Sequence, residues 1–304
     1  MLGAIIGDMV GSPYEFANVY KRHQVKPFQR TIRGSFRMTD DSVLSMAVAR
    51  ALTENRGRND KEGLGDAVAE SLQEYYRRYP LTKGIGPMKH SCYGKGFTGW
   101  IEQQDKKARR RATSNGGAMR IVPAGWLYPT LEETLWVAKL ATERTHHSRR
   151  AVEAAQVTAA SVFLARQGKG KQEICRYAEE TYGYWIPEGE EALYRLQEEN
   201  RSYRRRKRLR LQWEDLIQCD AKQTVERALF AFRHTVCFKD CIRTAVAIGG
   251  DSDTIACIAG GIAEAYYREV PKDWRKAAEE VLYACGCFPE DIRLVMNFKK
   301  EAGI

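Results

Sequence analysis

Glycines at positions 3, 7 and 11, four residues apart in an otherwise apolar opening segment, constrain this chain more than any other feature. On a helix that spacing puts all three on one stripe that carries no side-chain bulk. A late segment, "GGDSDTIACIAGG" from Gly249 running on through Ala263, places Ala256, Gly260 and Ala263 on one face. Two such faces let helix backbones approach closely, so the first helix and a late one are expected to pack as a central pair. Apolar residues recur at helical spacing elsewhere too: Val43, Ala47 and Ala51 with Leu44, Val48 and Leu52; Leu131, Leu135 and Ala138; Phe238, Ile242, Ala245 and Val246. Convincing alternating strands are scarce, and the expected fold class is all-α.

A chain of 304 residues can bury a sizeable core, and no linker, low-complexity tract or internal repeat divides it. A single domain over residues 1–304 is expected. The opening "MLGAIIGDMVGSPYEF" is apolar but short, has no positive residues ahead of it and carries Asp8 in its middle, so it reads as neither signal peptide nor membrane span. A cytoplasmic monomer with no membrane association is the expectation. Eight cysteines, at 92, 175, 219, 237, 241, 257, 285 and 287, contain no CxxC pair and read as reduced core residues. The net charge of +10 draws in anionic partners, a nucleotide diphosphate as well as nucleic acid. The densest basic run, "RSYRRRKRLRLQW" from Arg201, reads as a solvated face or loop rather than a nucleic-acid site.

Glycine packing does not account for the acidic residues. Asp8 and Glu15 lie in and after the first helix, Thr39, Asp40 and Asp41 precede a second, and Asp251, Asp253 and Thr254 open the late one. One Asp or Thr at such a place is a helix N-cap. Adjacent carboxylates repel one another unless a cation or protons compensate. If the two clusters meet, four carboxylates and two threonine hydroxyls converge at helix N-termini. An all-oxygen set selects a hard cation, Mg²⁺ first, with Mn²⁺ or Ca²⁺ as substitutes, and two ions fit the charge.

Five motifs stand in order along the chain: Gly3 to Glu15 in the pattern G-x-x-x-G-D-x-x-G-x-x-x-E, "TDDS" from Thr39, "SNGGAMRIVPAGW" from Ser114, "TH" at Thr145 and "GGDSDT" from Gly249. Together they resemble the ADP-ribosylglycohydrolase family over nearly the whole chain. The resemblance implies an orthogonal helical bundle with two Mg²⁺ ions in a central cleft. It also implies hydrolysis of the bond between ADP-ribose and an acceptor such as a protein arginine or serine. Carried over by position, Thr39, Asp40, Asp41, Asp251, Asp253 and Thr254 are the expected metal ligands. Asp41 is the first candidate for the carboxylate that takes a proton from the attacking water, and Glu15 the second. Asp8 is expected to satisfy backbone or supporting groups.

For the rest of the ligand the resemblance points to Gly94 and Gly96 in "CYGKGFTGW", to Asn115, Gly116, Gly117 and Met119, and to His146, with Tyr93 or Phe97 against the adenine. Gly-rich turns supply amide donors to a diphosphate. Two departures stand out: the run near Arg204 is more basic than the family pattern, and Arg268 with Glu269 replaces the usual Gly after "AYY". The basic run could bias the enzyme toward an acidic protein or a modified nucleic acid as substrate. Two other classes stay open: a catalytically silent relative that only binds ADP-ribose, and a charge-driven nucleic-acid-binding protein.

Overall fold

The computed structural model describes residues 1–16, 21–28, 36–57, 61–83, 90–103, 111–189, 191–208, 219–301 and 303–304. The helices among them are α1 (Leu2–Gly11), α2 (Asp40–Glu54), α3 (Lys61–Arg78), α4 (Lys95–Glu102), α5 (Gly116–Met119), α6 (Val122–Leu127), α7 (Leu131–Glu143) and α8 (Arg149–Arg166). They continue with α9 (Lys171–Tyr182), α10 (Glu191–Arg208), α11 (Ala221–Arg233), α12 (Phe238–Ile248), α13 (Ser252–Tyr267), α14 (Lys272–Ala284), α15 (Pro289–Met296) and α16 (Phe298–Glu301). Among the described residues strand pairing is confined to an antiparallel pair, β1 (Thr82–Lys83) with β2 (His90–Ser91), and an isolated bridge between Ser114 and Asp220. The all-α expectation holds.

Helices α1 and α13 form the centre, as their bare faces require. Every residue of α1 is buried, and so is α13 from Ser252 to Ala265. A Cβ added at Gly7 would lie 2.0 Å from the Ala256 carbonyl oxygen, and one at Gly260 would lie 2.1 Å from that of Gly3. The backbones therefore touch where larger residues would hold them apart. Glu264, late on α13, accepts from the Gly3 N–H at 2.8 Å, which satisfies a first-turn donor of α1 that has no partner within its own helix. Around the pair, α8, α11 and α12 cover α13, α2 runs beside α3 and α6, and α7 lies along α8. One apolar core runs through these elements, from Met1 to Phe298.

The basic run enters a helix: its residues 201–208 close α10, and 209–213 lie outside the described residues. All eight cysteines are free, but Cys237 is exposed and Cys219 and Cys285 are only partly buried, so the core reading fits five of them. The Arg268 departure has a local meaning: it caps α13 in the left-handed region at φ 63°, where a glycine carries no Cβ penalty. Among the described residues no helix is long and apolar enough to cross a membrane.

Candidate active site

Asp8 and the entry to α2 build the first wall. Asp8 is fully buried in α1 and accepts from Thr39 N at 2.9 Å, Thr39 Oγ1 at 2.7 Å, Ser42 N at 3.1 Å and the Ser42 hydroxyl. It thus binds free N–H groups of α2 from outside that helix. Burial raises its pKa to about 6 despite those bonds. Thr39 is the N-cap and accepts from Asp41 N at 3.3 Å, which fixes Asp40 and Asp41 in the first turn.

A glycine pair builds the second wall. Gly249 and Gly250 both sit at φ 80°, a conformation that other residues adopt only under strain, and the tight turn they make delivers Asp251 to the N-cap of α13. The Phe16 N–H donates to the Gly250 carbonyl at 2.7 Å, which draws Glu15 to the same place. Helix packing therefore brings together residues more than 200 positions apart. Oxygen atoms of Glu15, Asp251 and Asp253 lie within 4.8 Å of one another, as do those of Asp8, Asp41 and Asp253. Asp253 belongs to both groups.

The electrostatics of these groups are unfavourable as they stand. Asp41 and Asp253 are each 3% exposed. Burial first, then Asp8, Asp40 and Asp251, push the Asp41 carboxyl well above the usual range; burial, Glu15, Asp251 and Asp41 do the same to Asp253. Asp41 Oδ2 receives a long contact from Thr254 Oγ1 at 3.4 Å, and Oδ1 is buried with no partner. A buried, partnerless carboxylate oxygen among other carboxylates and a threonine hydroxyl fits a hard divalent cation.

The acidic wall opens into a cleft of about 630 Å³. Glu15, Asp40, Asp41, Asp251, Asp253 and Thr254 line it, and so do Gly94, Gly96, Asn115, Gly116, Met119 and His146. Thr39 and Gly117 do not. Thr39 turns its hydroxyl to Asp8, and Gly117 packs against α7, where an added Cβ would lie 2.5 Å from the Thr142 side chain. Asn115 uses its side-chain amide within the protein, donating from Nδ2 to Asp251 Oδ2 at 2.7 Å and to Thr224 Oγ1 at 3.1 Å. Tyr93 and Phe97 line the cleft but stack on each other, with ring centroids 6.0 Å apart at 25°. His146 is buried, with Ser114 Oγ 3.0 Å from Nε2 and Thr145 Oγ1 2.8 Å from Nδ1.

A model of the ADP-ribosylglycohydrolase family matches residues 1–301. The chain belongs to that family. Membership makes it a glycohydrolase and gives the acidic cleft its natural reading as the place of reaction. Among curated relatives, ADP-ribosylhydrolase ARH3 from Homo sapiens is 25% identical over 328 residues, covering 92% of this chain and 88% of its own. ADP-ribosylarginine hydrolase Tri1 from Pseudomonas putida (strain GB-1) is 24% identical over 294 residues, covering 90% and 71%. A solved structure described as an ADP-ribosylglycohydrolase-related protein complex shares the fold, with a TM-score of 0.64 at 22% identity over 99% of this chain and 97% of that one.

This glycohydrolase also places in the cleft residues that the sequence reading did not select. Arg120 is 1% exposed, lines the cleft and leaves Nε and Nη1 without partners; burial lowers its pKa to about 9. It follows Met119 in the third motif, where the sequence reading took up the methionine and not the arginine. Ser114, which opens the same motif, lines the cleft beside His146. Cys219 lies against Asp251, and burial with that carboxylate pushes its thiol pKa well up. Nothing in the spacing of the cysteines distinguishes it. Asp8, read as a supporting group, does support Thr39 and Ser42, and in addition joins Asp41 and Asp253.

Proposed function

We propose that the protein reverses ADP-ribosylation as a metal-dependent hydrolase, cleaving the glycosidic bond between ADP-ribose and an arginine or serine side chain of a modified protein. The observation that carries this reading is the orphaned, buried Asp41 Oδ1 among Glu15, Asp251, Asp253 and Thr254 at the end of a cleft large enough for a nucleotide sugar. Asp41, Asp251, Asp253 and Thr254 would hold a pair of Mg²⁺ or Mn²⁺ ions, with Asp40 on the cleft wall beside them and Thr39 bracing them through Asp8. Such ions supply positive charge that orients ribose hydroxyls and makes a water more acidic.

The chain's own groups do the rest. Cleavage at the anomeric carbon develops oxocarbenium-like charge, which the surrounding carboxylates favour. Water attacks that carbon as the bond to the acceptor breaks; a carboxylate takes the water's proton, and the departing nitrogen or oxygen regains a proton, leaving free ADP-ribose and the unmodified side chain. Asp41, on the cleft wall with its Oδ1 unpartnered, is the first candidate for that role. Glu15, on the cleft wall and adjacent to Asp251 and Asp253, is the second candidate. The turns at Gly94 and Gly116, together with His146, line the same cleft and would meet the diphosphate end of the ligand. Arginine as acceptor is supported by the name of the Tri1 relative. The continuous core supports a single domain over 1–304, and the free cysteines suit a reducing cytoplasm.

The test is release of free ADP-ribose from arginine-linked, serine-linked and nucleic-acid-linked substrates, in Mg²⁺ or EDTA. Release that requires Mg²⁺ and is lost in Asp41→Ala and Asp251→Ala is the expected result. ADP-ribose binding without release from any substrate would replace the hydrolase with a silent binding relative.

A further inference from the structure

The side chains between Arg120 and the cleft form a chain of hydrogen bonds that begins at an obligate donor. A guanidinium can only donate, and Arg120 Nη2 donates to Thr145 Oγ1 at 2.5 Å. The Thr145 hydroxyl has one proton of its own and two acceptors in reach, His146 Nδ1 at 2.8 Å and the Thr142 carbonyl at 3.4 Å. That carbonyl also accepts the backbone N–H of His146 at 2.9 Å and of Thr145 at 3.2 Å, so the shorter contact and the crowded carbonyl both favour Nδ1 as the acceptor of the hydroxyl proton.

A ring nitrogen that accepts leaves the proton of a neutral imidazole on the other nitrogen. Nε2–H faces Ser114 Oγ at 3.0 Å, so the Ser114 oxygen accepts. A doubly protonated ring would force Thr145 Oγ1 to accept twice and send its own proton to the crowded carbonyl. The ring has little room to turn away, because a Cβ on Gly116 would already lie 2.9 Å from Cε1 and Nε2. With its oxygen engaged, the half-buried Ser114 keeps its hydroxyl proton for whatever occupies the cleft.

We propose that Ser114 is a substrate-binding donor for an anionic oxygen, and that Arg120 and Thr145 are positioning residues which hold His146 as the Nε2–H tautomer and so keep Ser114 in the donating state. A hydroxyl whose oxygen already accepts a bond is a stronger donor. Buried Arg120, whose Nε and Nη1 have no partner, lines the same cleft. The identity of the anionic group as the diphosphate of ADP-ribose rests on the function proposed above.

Long-range ¹H–¹⁵N correlation spectra of histidine-labelled protein read the tautomer directly, with His146 assigned by its loss in His146→Asn. The expected spectrum shows Nε2 protonated and Nδ1 bare, a pattern lost in Thr145→Val and kept in Thr145→Ser. Calorimetric titration with ADP-ribose then shows Ser114→Ala weakening Kd about tenfold, the loss expected for one donor to a charged acceptor, with Ser114→Thr restoring it. Arg120→Lys, which keeps a donor to Thr145, retains the tautomer. A wild-type ring protonated on Nδ1, or Ser114→Ala binding as tightly as wild type, would overturn the proposal. Wild type that shows the Nε2–H ring yet binds no ADP-ribose would support the relay and refute the ADP-ribose reading instead.

Discussion

Two buried aspartates in this molecule have opposite surroundings. Asp291, at the start of α15, is fully buried and accepts the hydroxyls of Tyr75 and Tyr79, with Arg78 Nε at 3.2 Å and Arg50 Nη2 at 3.5 Å. Asp41 is buried nearly as deeply, but its charged neighbours are Asp8, Asp40 and Asp251, and one of its oxygens has no partner. The first is a completed network that ties α15 to α2 and α3. The second is an incomplete network of like charges. Depth alone does not separate a structural carboxylate from a functional one; the sign and completeness of its partners do.

The contrast predicts opposite outcomes for the same substitution. Asp41→Ala should cut ADP-ribose release by on the order of a thousandfold, the size expected when a general base is lost, and leave the melting temperature in EDTA unchanged or higher. Asp291→Ala should leave turnover per folded molecule within about threefold and cost about 3 kcal/mol of stability in a denaturant titration, because Arg50 and Arg78 lose their buried partner. Equal losses of stability in the two variants would erase the distinction.

Away from both aspartates, Gly7→Ala tests whether the α1–α13 contact is as close as it must be to set the two walls of the cleft. Its methyl meets the Ala256 carbonyl, and an overpacked core of this kind costs about 3 kcal/mol, read as a fall in melting temperature. Mg²⁺ at about a hundred times its Kd should add about 2.7 kcal/mol to the wild type, with the gain absent in Asp253→Ala. A matching gain in Asp253→Ala would place cation binding elsewhere. The smallest effect belongs to Arg268→Gly, which relieves a left-handed cap and should raise stability by about 0.5 kcal/mol in the same titration.

Much of this was legible beforehand, and for identifiable reasons. Gly3, Gly7 and Gly11 announce a helix whose backbone is approached by another, because nothing else in a soluble protein needs a stripe of that spacing. Asp40, Asp41, Asp251 and Asp253 announce a compensating charge, since clustered carboxylates at helix starts repel. The Thr39 role was half visible: its place as N-cap is local, but its bond to Asp8 depends on where α1 lies. Gly117 shares the Gly-rich motif with Gly116, but only Gly116 lines the cleft, since adjacent residues on a helix point about 100° apart.

The sequence by itself determined the helical class, the central helix pair and the acidic clusters at two helix starts, because periodicity, bulk and charge are local properties of the chain. Only the tertiary structure decided that Asp253 is shared by two carboxylate groups, that Asn115 holds Asp251, that Asp41 is left incomplete while Asp291 is not, and that Arg120, Thr145, His146 and Ser114 stand in line. Those are facts of distance and direction between residues far apart in sequence. Hydrogen bonds and charge pairs depend on ångströms that no spacing along a chain can specify.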